Sequence, residues 1–481
     1  MALNHIKEQD TLETINRILE IIDGFVWGVP LIVLILAGGL LLTIRTGVIQ
    51  LRKLPLALKW IFDKEDNGDE KGEVSSFGAL MTALSATVGT GNIVGVATAV
   101  STGGPGALFW MVVTAFIGMA TKYSEGFLAI RFRDFDADGK ALGGPFMYIE
   151  KGMGPKWKWL ARVFAFFGAC VGLFGIGTFT QVNGINLAIN DFFNRDNSTP
   201  ITIPGIGSFS IYTVVTSVVI AVVVGLIIFG GIKRITKVSS VFVPVMFVIY
   251  LGMCIGLIIF NITEVPRAIA IIVEAAFDPM AVTGGLVGSF FVAMQKGMAR
   301  GIFSNEAGLG SAPIAAAAAK TNQPVRQGLV SMTGTFFDTI IICSMTGICI
   351  VLTGAWQMEG LEGVQITTYA FQTGLPLNDD VTAFLLMTCL TIFAFTSILG
   401  WNYYAERCMM YLHPDKPWVV TTFKILYIIA VFIGPYMTVS AVWTIADIFN
   451  GLMAIPNMIA IFALSGIIAK ETRQFFLERK S

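Results

Sequence analysis

The stretch Ser85 to Ala99 reads SATVGTGNIVGVATA and interrupts a long uncharged run with Gly89, Gly91, Asn92 and Gly95. In hydrocarbon no water pairs a free N–H or C=O, so irregular backbone survives there only where it lines a cavity or is buried in protein. The chemistry open to an unwound stretch is therefore ligand binding by the main chain. Unwinding near Val88 to Asn92 would leave carbonyls closing one half-helix to face a cation, and amides opening the next half-helix to face a carboxylate. Glycine permits both the torsions and a close approach. Tight helix packing through Gly91 and Gly95, spaced as GxxxG, is the competing reading. A nucleotide loop is the poorer one, because GTGNIVG lacks the GxGxxG spacing and no strand precedes it.

Other reactive residue types narrow the classes further. His5 and His413 are the only histidines, which leaves no axial pair for a membrane haem. Cys170, Cys254, Cys343, Cys349, Cys389 and Cys408 fall inside or at the ends of apolar segments without a CxxC pair, so apolar packing is expected rather than disulfide or zinc chemistry. No His or Cys nucleophile constellation is visible, and an enzyme is not expected. Lys122, Glu125, Lys296, Arg300, Glu306, Asp338, Glu406 and Asp447 lie within or at the edges of apolar runs, where charge is costly and pairs or faces a cavity. Most sit near helix ends and read as gate or structural ion pairs. Asp338 lies deeper and is the candidate for a proton role.

The elements that must position these residues are membrane helices. Of 481 residues 55% are hydrophobic and 13% charged, with a mean hydropathy of +0.74, far from the roughly 25% charged of soluble domains. A span needs about 20 mostly apolar residues. On that scale candidates fall near 24–44, 76–100, 105–130, 162–192, 209–231, 239–262, 283–310, 328–353, 381–406, 418–438 and 441–468, which makes eleven. Alternate loops carry Arg52, Lys53 and Lys59, then Arg131, Arg133 and Lys140, then Lys233, Arg234 and Lys237, while the other side has only Lys7, Arg17, Arg195 and Arg267. That bias orients the chain with its N-terminus outside and its C-terminus in the cytoplasm of a cell inner (plasma) membrane. Residues 1 to 20 are polar and amphipathic, lack the features of a cleaved signal, and are expected to stay. Lys plus Arg balance Asp plus Glu at 32 each, so nothing points to nucleic acid, and the lipid bilayer is the partner.

A second glycine-rich, polar interruption is GSFFVAMQKGMARGIFSNEAGLG, Gly288 to Gly310, in the seventh span. Without the first span, the two interrupted helices become the first and sixth of ten, the spacing that two inverted five-helix halves give and a pointer to a transporter site. The fold class expected is an all-α polytopic membrane protein of eleven transmembrane helices. Its parts are residues 1–74 (amphipathic segment, accessory helix and loop), 75–262 (first repeat), 263–470 (second repeat) and 471–481 (tail).

The segments VGTGNIVGVATAVSTGGPGALFWM, GGPFMYIEKG (Gly143 to Gly152), RGIFSNEAGLGSAP (Arg300 to Pro313) and FTSILGWNYYAER (Phe395 to Arg407) follow one another in this order. With them the chain resembles the alanine or glycine:cation symporter family through nearly all its length. That family is similar in architecture to the leucine-transporter fold. The resemblance implies sodium-coupled, or in some members proton-coupled, uptake of small neutral amino acids such as alanine or glycine. It implies sodium ligands in the Ser85 and Val88 carbonyls, the Phe393 carbonyl and the hydroxyls of Thr396 and Ser397, five oxygens suited to a hard cation. For the amino acid it implies the Thr90, Gly91 and Asn92 backbone, Gln181, Trp401, and a break in the sixth core helix around Met294 and Gln295. That break is expected at Ala293 to Gly297, with Asn305 to Gly310 as the competitor. Gln181 lies one turn from Thr178 and is expected to share its helix face. The chain is expected to act as a monomer; an amino-acid-gated channel or sensor on the same fold is the alternative.

Overall fold

The computed structural model describes residues 17–19, 21–63, 71–136, 138–194, 200–203, 207–277, 290–437 and 439–479. The amphipathic N-terminal segment, apart from 17–19, lies outside the described residues. The principal helices are α1 Val29–Arg45, α2 Leu54–Phe62, α3 Ser76–Thr87, α4 Val96–Gly103, α5 Gly106–Arg131, α6 Lys158–Phe174, α7 Phe179–Phe193, α8 Ile211–Ile228, α9 Gly231–Phe260 and α10 Val265–Phe277. They continue with α11 Phe290–Asn305, α12 Ala312–Ala316, α13 Pro324–Thr335, α14 Ser344–Leu352, α15 Val364–Gly374, α16 Asp379–Leu412, α17 Pro417–Ile433 and α18 Val439–Glu478. Two antiparallel hairpins interrupt the helices: β1 Asp134–Phe135 with β2 Ala141–Leu142, and β3 Pro200–Ile203 with β4 Gly207–Ser210.

Among the described residues nine helices are long and apolar enough to cross a membrane, and the bent pair Ser76–Thr87 with Gly91–Gly103 makes a tenth. The chain is a multi-pass membrane protein. Of the remaining sequence candidate, 283–310, residues 283–289 lie outside the described residues; from Phe290 it forms α11, followed by a break before α12. The fourth candidate span is not one uniform helix, because α6 and α7 are separated at Gly175 to Thr178. Helices α10 and α15 were not expected; α10 packs on α5, where a Cβ at Gly106 would lie 2.3 Å from the Ala275 carbonyl oxygen.

Burial runs as the bilayer demands. On α8, Val215, Val218, Val219, Val222 and Leu226 recur every three or four residues and are exposed, a stripe for lipid tails, while Ile220, Val224 and Ile228 turn into the core. The α3–α4 pair is held inside this core, against α9, α11 and α16. An interrupted helix in that position is surrounded by protein, as its unpaired backbone requires.

Candidate functional site

Helix α3 starts on Ser75, whose side chain accepts the Gly78 N–H at 3.0 Å, and it stops at Val88, which turns extended at φ −77 and ψ 103. A π-helical turn, Gly91–Gly95, then leads into α4, and the two halves meet at 53°. In an unbroken helix the Gly89 N–H would pair with the Ser85 carbonyl and the Thr90 N–H with that of Ala86. Here the Gly89 N–H goes to Asn92 Oδ1 at 2.9 Å, and the Thr90 N–H to Gln181 Oε1 at 3.2 Å. The Asn92 N–H, which would serve Val88, turns to the Gly89 carbonyl at 3.3 Å. These diversions release the Ser85 and Val88 carbonyls from helical pairing.

On one side of the break the Val88 carbonyl meets α16. Ser397 Oγ lies 3.1 Å from the Val88 carbonyl and 3.1 Å from that of Phe393, and Thr396 Oγ1 lies 3.0 Å from the same Phe393 oxygen. Val88, Phe393, Thr396 and Ser397 are all fully buried. No basic side chain contributes, and the donor set is neutral oxygen throughout, as a hard monovalent cation prefers. Four of the five expected cation ligands are thus joined in one chain of hydrogen bonds through Ser397 and the Phe393 carbonyl, with Ser85 one turn earlier on α3.

On the other side the break faces α7 and α11. Asn92 Nδ2 donates to Asp338 Oδ1 at 2.7 Å, and Ser304 Oγ on α11 donates to Asp338 Oδ2 at 2.9 Å. Thr339 Oγ1 reaches the same oxygen at 2.6 Å. Asp338 sits in the π-helical segment Phe336–Cys343 joining α13 to α14, an irregularity frequent at functional sites. Its carboxylate ties the first interrupted helix to the second. Above Thr90 opens a cavity of about 1120 Å³, walled by α4, α7, the β3–β4 hairpin and the 361–365 segment. Thr180, Asn183 and Gly184 form its α7 face, and Arg300 and Trp443 stand across from them.

Several expectations change. Helix α11 runs without interruption through Ala293 to Gly297, so Met294 and Gln295 lie on a regular helix, half-buried and exposed respectively, and neither lines the cavity. Gly297 is there for packing: a Cβ would fall 2.2 Å from the Ala107 carbonyl of α5. The opening occurs at the competing position, where Glu306, Gly308 and Gly310 take φ of 56°, 92° and 81°. Glu125 caps this second opening, accepting the Gly308 and Gly310 N–H groups at 3.1 and 3.2 Å and Asn457 Nδ2 at 2.7 Å. Lys122 donates to the Glu306 carbonyl at 3.2 Å. Trp401 is fully buried, and its indole N–H donates to Glu306 Oε1 at 2.9 Å, which makes it a brace for the second opening. Thr178 precedes α7 and donates its hydroxyl to the Leu173 carbonyl at 2.7 Å, so it does not share a face with Gln181. The sequence reading missed Thr180, Asn183 and Gly184. Their signal was the polar stripe Thr180, Asn183, Asn186, Asn190 and Asn194 at helical spacing within an apolar span.

A multi-pass bundle with two internally opened helices, one joining an oxygen cluster to a solute-sized cavity, defines a membrane carrier of small solutes. Among solved structures the chain is similar to a crystal structure of MhsT in complex with L-phenylalanine, with a TM-score of 0.57 over 82% of this chain and 89% of that one, at 13% identity. This likeness is one of fold, the leucine-transporter architecture. The sequence model of the sodium:alanine symporter family matches residues 12–481, and the chain belongs to that family. It is 52% identical over 468 residues to an uncharacterized transporter of Haemophilus influenzae, with 97% of each chain covered. Against the sodium/alanine symporter AgcS of Methanococcus maripaludis the identity is 43% over 466 residues, covering 96% of this chain and 97% of that one. Sodium is the coupling ion of the family, and amino-acid symport its activity.

Proposed function

We propose that the chain carries a small neutral amino acid, alanine or glycine, into the cell together with sodium, by alternating access of a single site. The observation that carries this reading is the two-sidedness of the Val88 to Asn92 break. Its Val88 carbonyl meets the Ser397 hydroxyl on one side, and its Thr90 lines the cavity on the other. Sodium taken by the Ser85, Val88 and Phe393 carbonyls and the Thr396 and Ser397 hydroxyls fastens α3 to α16. The amino acid, its carboxylate toward the Thr90 to Asn92 backbone, where it takes the place of Gln181 Oε1 on the Thr90 N–H and of the Gly89 carbonyl on the Asn92 N–H, then finds that segment already ordered. Ordering by one cargo raises the affinity for the other by the same factor in both directions.

In this reading residues 75–262 and 263–470 form two inverted five-helix halves behind an accessory first helix, eleven spans in all. The Lys/Arg-poor face, where the cavity opens, is extracellular, and the C-terminus is cytoplasmic in the plasma membrane. One chain holds the whole site, in keeping with a monomer. The test is uptake of labelled alanine into proteoliposomes. An inward sodium gradient is expected to drive accumulation that choline in place of sodium abolishes; equal uptake in choline refutes coupling.

A further inference from the structure

At the Lys/Arg-rich end of the bundle a separate cavity of about 390 Å³ opens between the turn after α1 and the last turns of α18. Arg45, Arg52, Lys53 and Arg473 line it, and no described Asp or Glu does. Nearby cations on other elements meet carboxylates: Arg131 pairs with Glu471 at 3.1 Å and Arg407 with Glu73 at 2.8 Å. Arg45 and Arg52 instead meet neutral oxygen, Arg45 Nη1 donating to Ser465 Oγ at 2.6 Å and Arg52 Nη1 to the Gly47 carbonyl at 3.1 Å. A guanidinium has five N–H donors, so one such bond leaves most of each fork for an anion. The turn is shaped for this placement. Gly47 and Val48 take φ of 67° and 55°, uncommon for a β-branched residue, and a Cβ at Gly47 would lie 2.7 Å from Arg52 Nη1. Lys53 Nζ lies 4.2 Å from the centroid of the Phe476 ring.

The cavity also sits where a span ends. The first span closes on Arg45, and Ser465, to which Arg45 donates, belongs to the last span. Ile44 and Leu477 line the same cavity and are 68% and 60% exposed, apolar surface beside the cations. A space walled by one sign of charge concentrates the opposite ion, and basic pockets between spans at the membrane surface suit lipid head groups. We propose that Arg45, Arg52 and Arg473 bind the phosphodiester of an anionic phospholipid of the phosphatidylglycerol kind, whose chains lie along Ile44 and Leu477. The arginine forks match phosphate oxygens in pairs. One bound lipid therefore bridges the end of α1, the turn after it and α18, and clamps the first span to the last.

The experiment follows thermal melting of the purified full chain in neutral detergent as phosphatidylglycerol or phosphatidylcholine is titrated in. A lipid that binds the folded chain raises its melting temperature, and phosphatidylglycerol is expected to do so at mole fractions where phosphatidylcholine has no effect. The half-saturating mole fraction should rise about fivefold in Arg473→Gln and more than tenfold in Arg45→Gln/Arg473→Gln. It should stay within about threefold in Arg45→Lys/Arg473→Lys, which keeps the charge. The same holds for Lys233→Gln/Lys237→Gln, which removes two exposed cations outside the cavity. Equal stabilisation by the two lipids, or by inorganic phosphate without lipid, overturns the lipid assignment. An unchanged half-saturation in Arg473→Gln, whose exposed side chain makes misfolding a poor explanation, or an equal loss in Lys233→Gln/Lys237→Gln, overturns the cavity as its place.

Discussion

Two glycines of the first break have different jobs. A Cβ at Gly89 would fall 2.6 Å from Ser397 Oγ and 2.8 Å from Gln181 Oε1, wedged between the oxygen cluster and the cavity floor. A Cβ at Gly91 meets nothing closer than Ser304 Cα at 3.5 Å, an ordinary contact. Gly89→Ala is therefore expected to weaken sodium and alanine together by tenfold or more, measured as half-saturation values for uptake. Gly91→Ala should stay near wild type, while Gly91→Leu drives a branched side chain against Phe303 and Ser304 and blocks alanine. Equal behaviour of the two alanine variants would contradict this geometry. The sequence GTGN displayed the glycines and the break, since hydrocarbon leaves few other uses for such a run. It did not display which glycine is crowded, because the crowding atoms come from Gln181 and Ser397, far along the chain.

At the level of helices, the second opening teaches more than the first. Gly297 and Gln295 imitate a break, and the choice between 293–297 and 305–310 could not be made without knowing what packs on α11. In the folded chain Gly297 touches Ala107, and the true opening depends on Glu125 of α5 and Asn457 of α18 to take up its freed amides. Gly297→Leu should accordingly lower thermal stability, through a clash with the α5 backbone of the kind that costs about 1–3 kcal/mol. The KM of the protein that does fold should be unaltered. A raised alanine KM with unchanged melting temperature would restore 293–297 as part of the site. The amphipathic α10 and the Gly175 to Thr178 interruption escaped the sequence because neither disturbs the local hydropathy.

For the molecule as a whole, the multi-pass helical architecture was legible, whereas the state of its two ends was not. Ser101 and Thr102 on the cavity wall lie in the last turn of α4, just before the start of α5. About 39 Å away, the length of 26 helical residues, the opposite end is bound shut. There Arg133 donates to the carbonyls of Ala317 and Ala319 at 2.9 and 2.7 Å and to that of Lys71 at 2.9 Å. Arg407 meets Glu73 at 2.8 Å. Arg133→Ala should loosen this end, so that amide hydrogen exchange across 312–322 quickens tenfold or more while the β3–β4 hairpin is unaffected. Unchanged protection would show that the remaining contacts hold that end without Arg133. The position of Arg300 over the paired rings of Phe303 and Trp443, with the guanidinium carbon 5.5 and 5.2 Å from the two ring centroids, has a practical corollary. An indole on the cavity wall beside a fixed positive charge is a built-in optical probe, so loading the carrier should shift a fluorescence component that vanishes in Trp443→Phe.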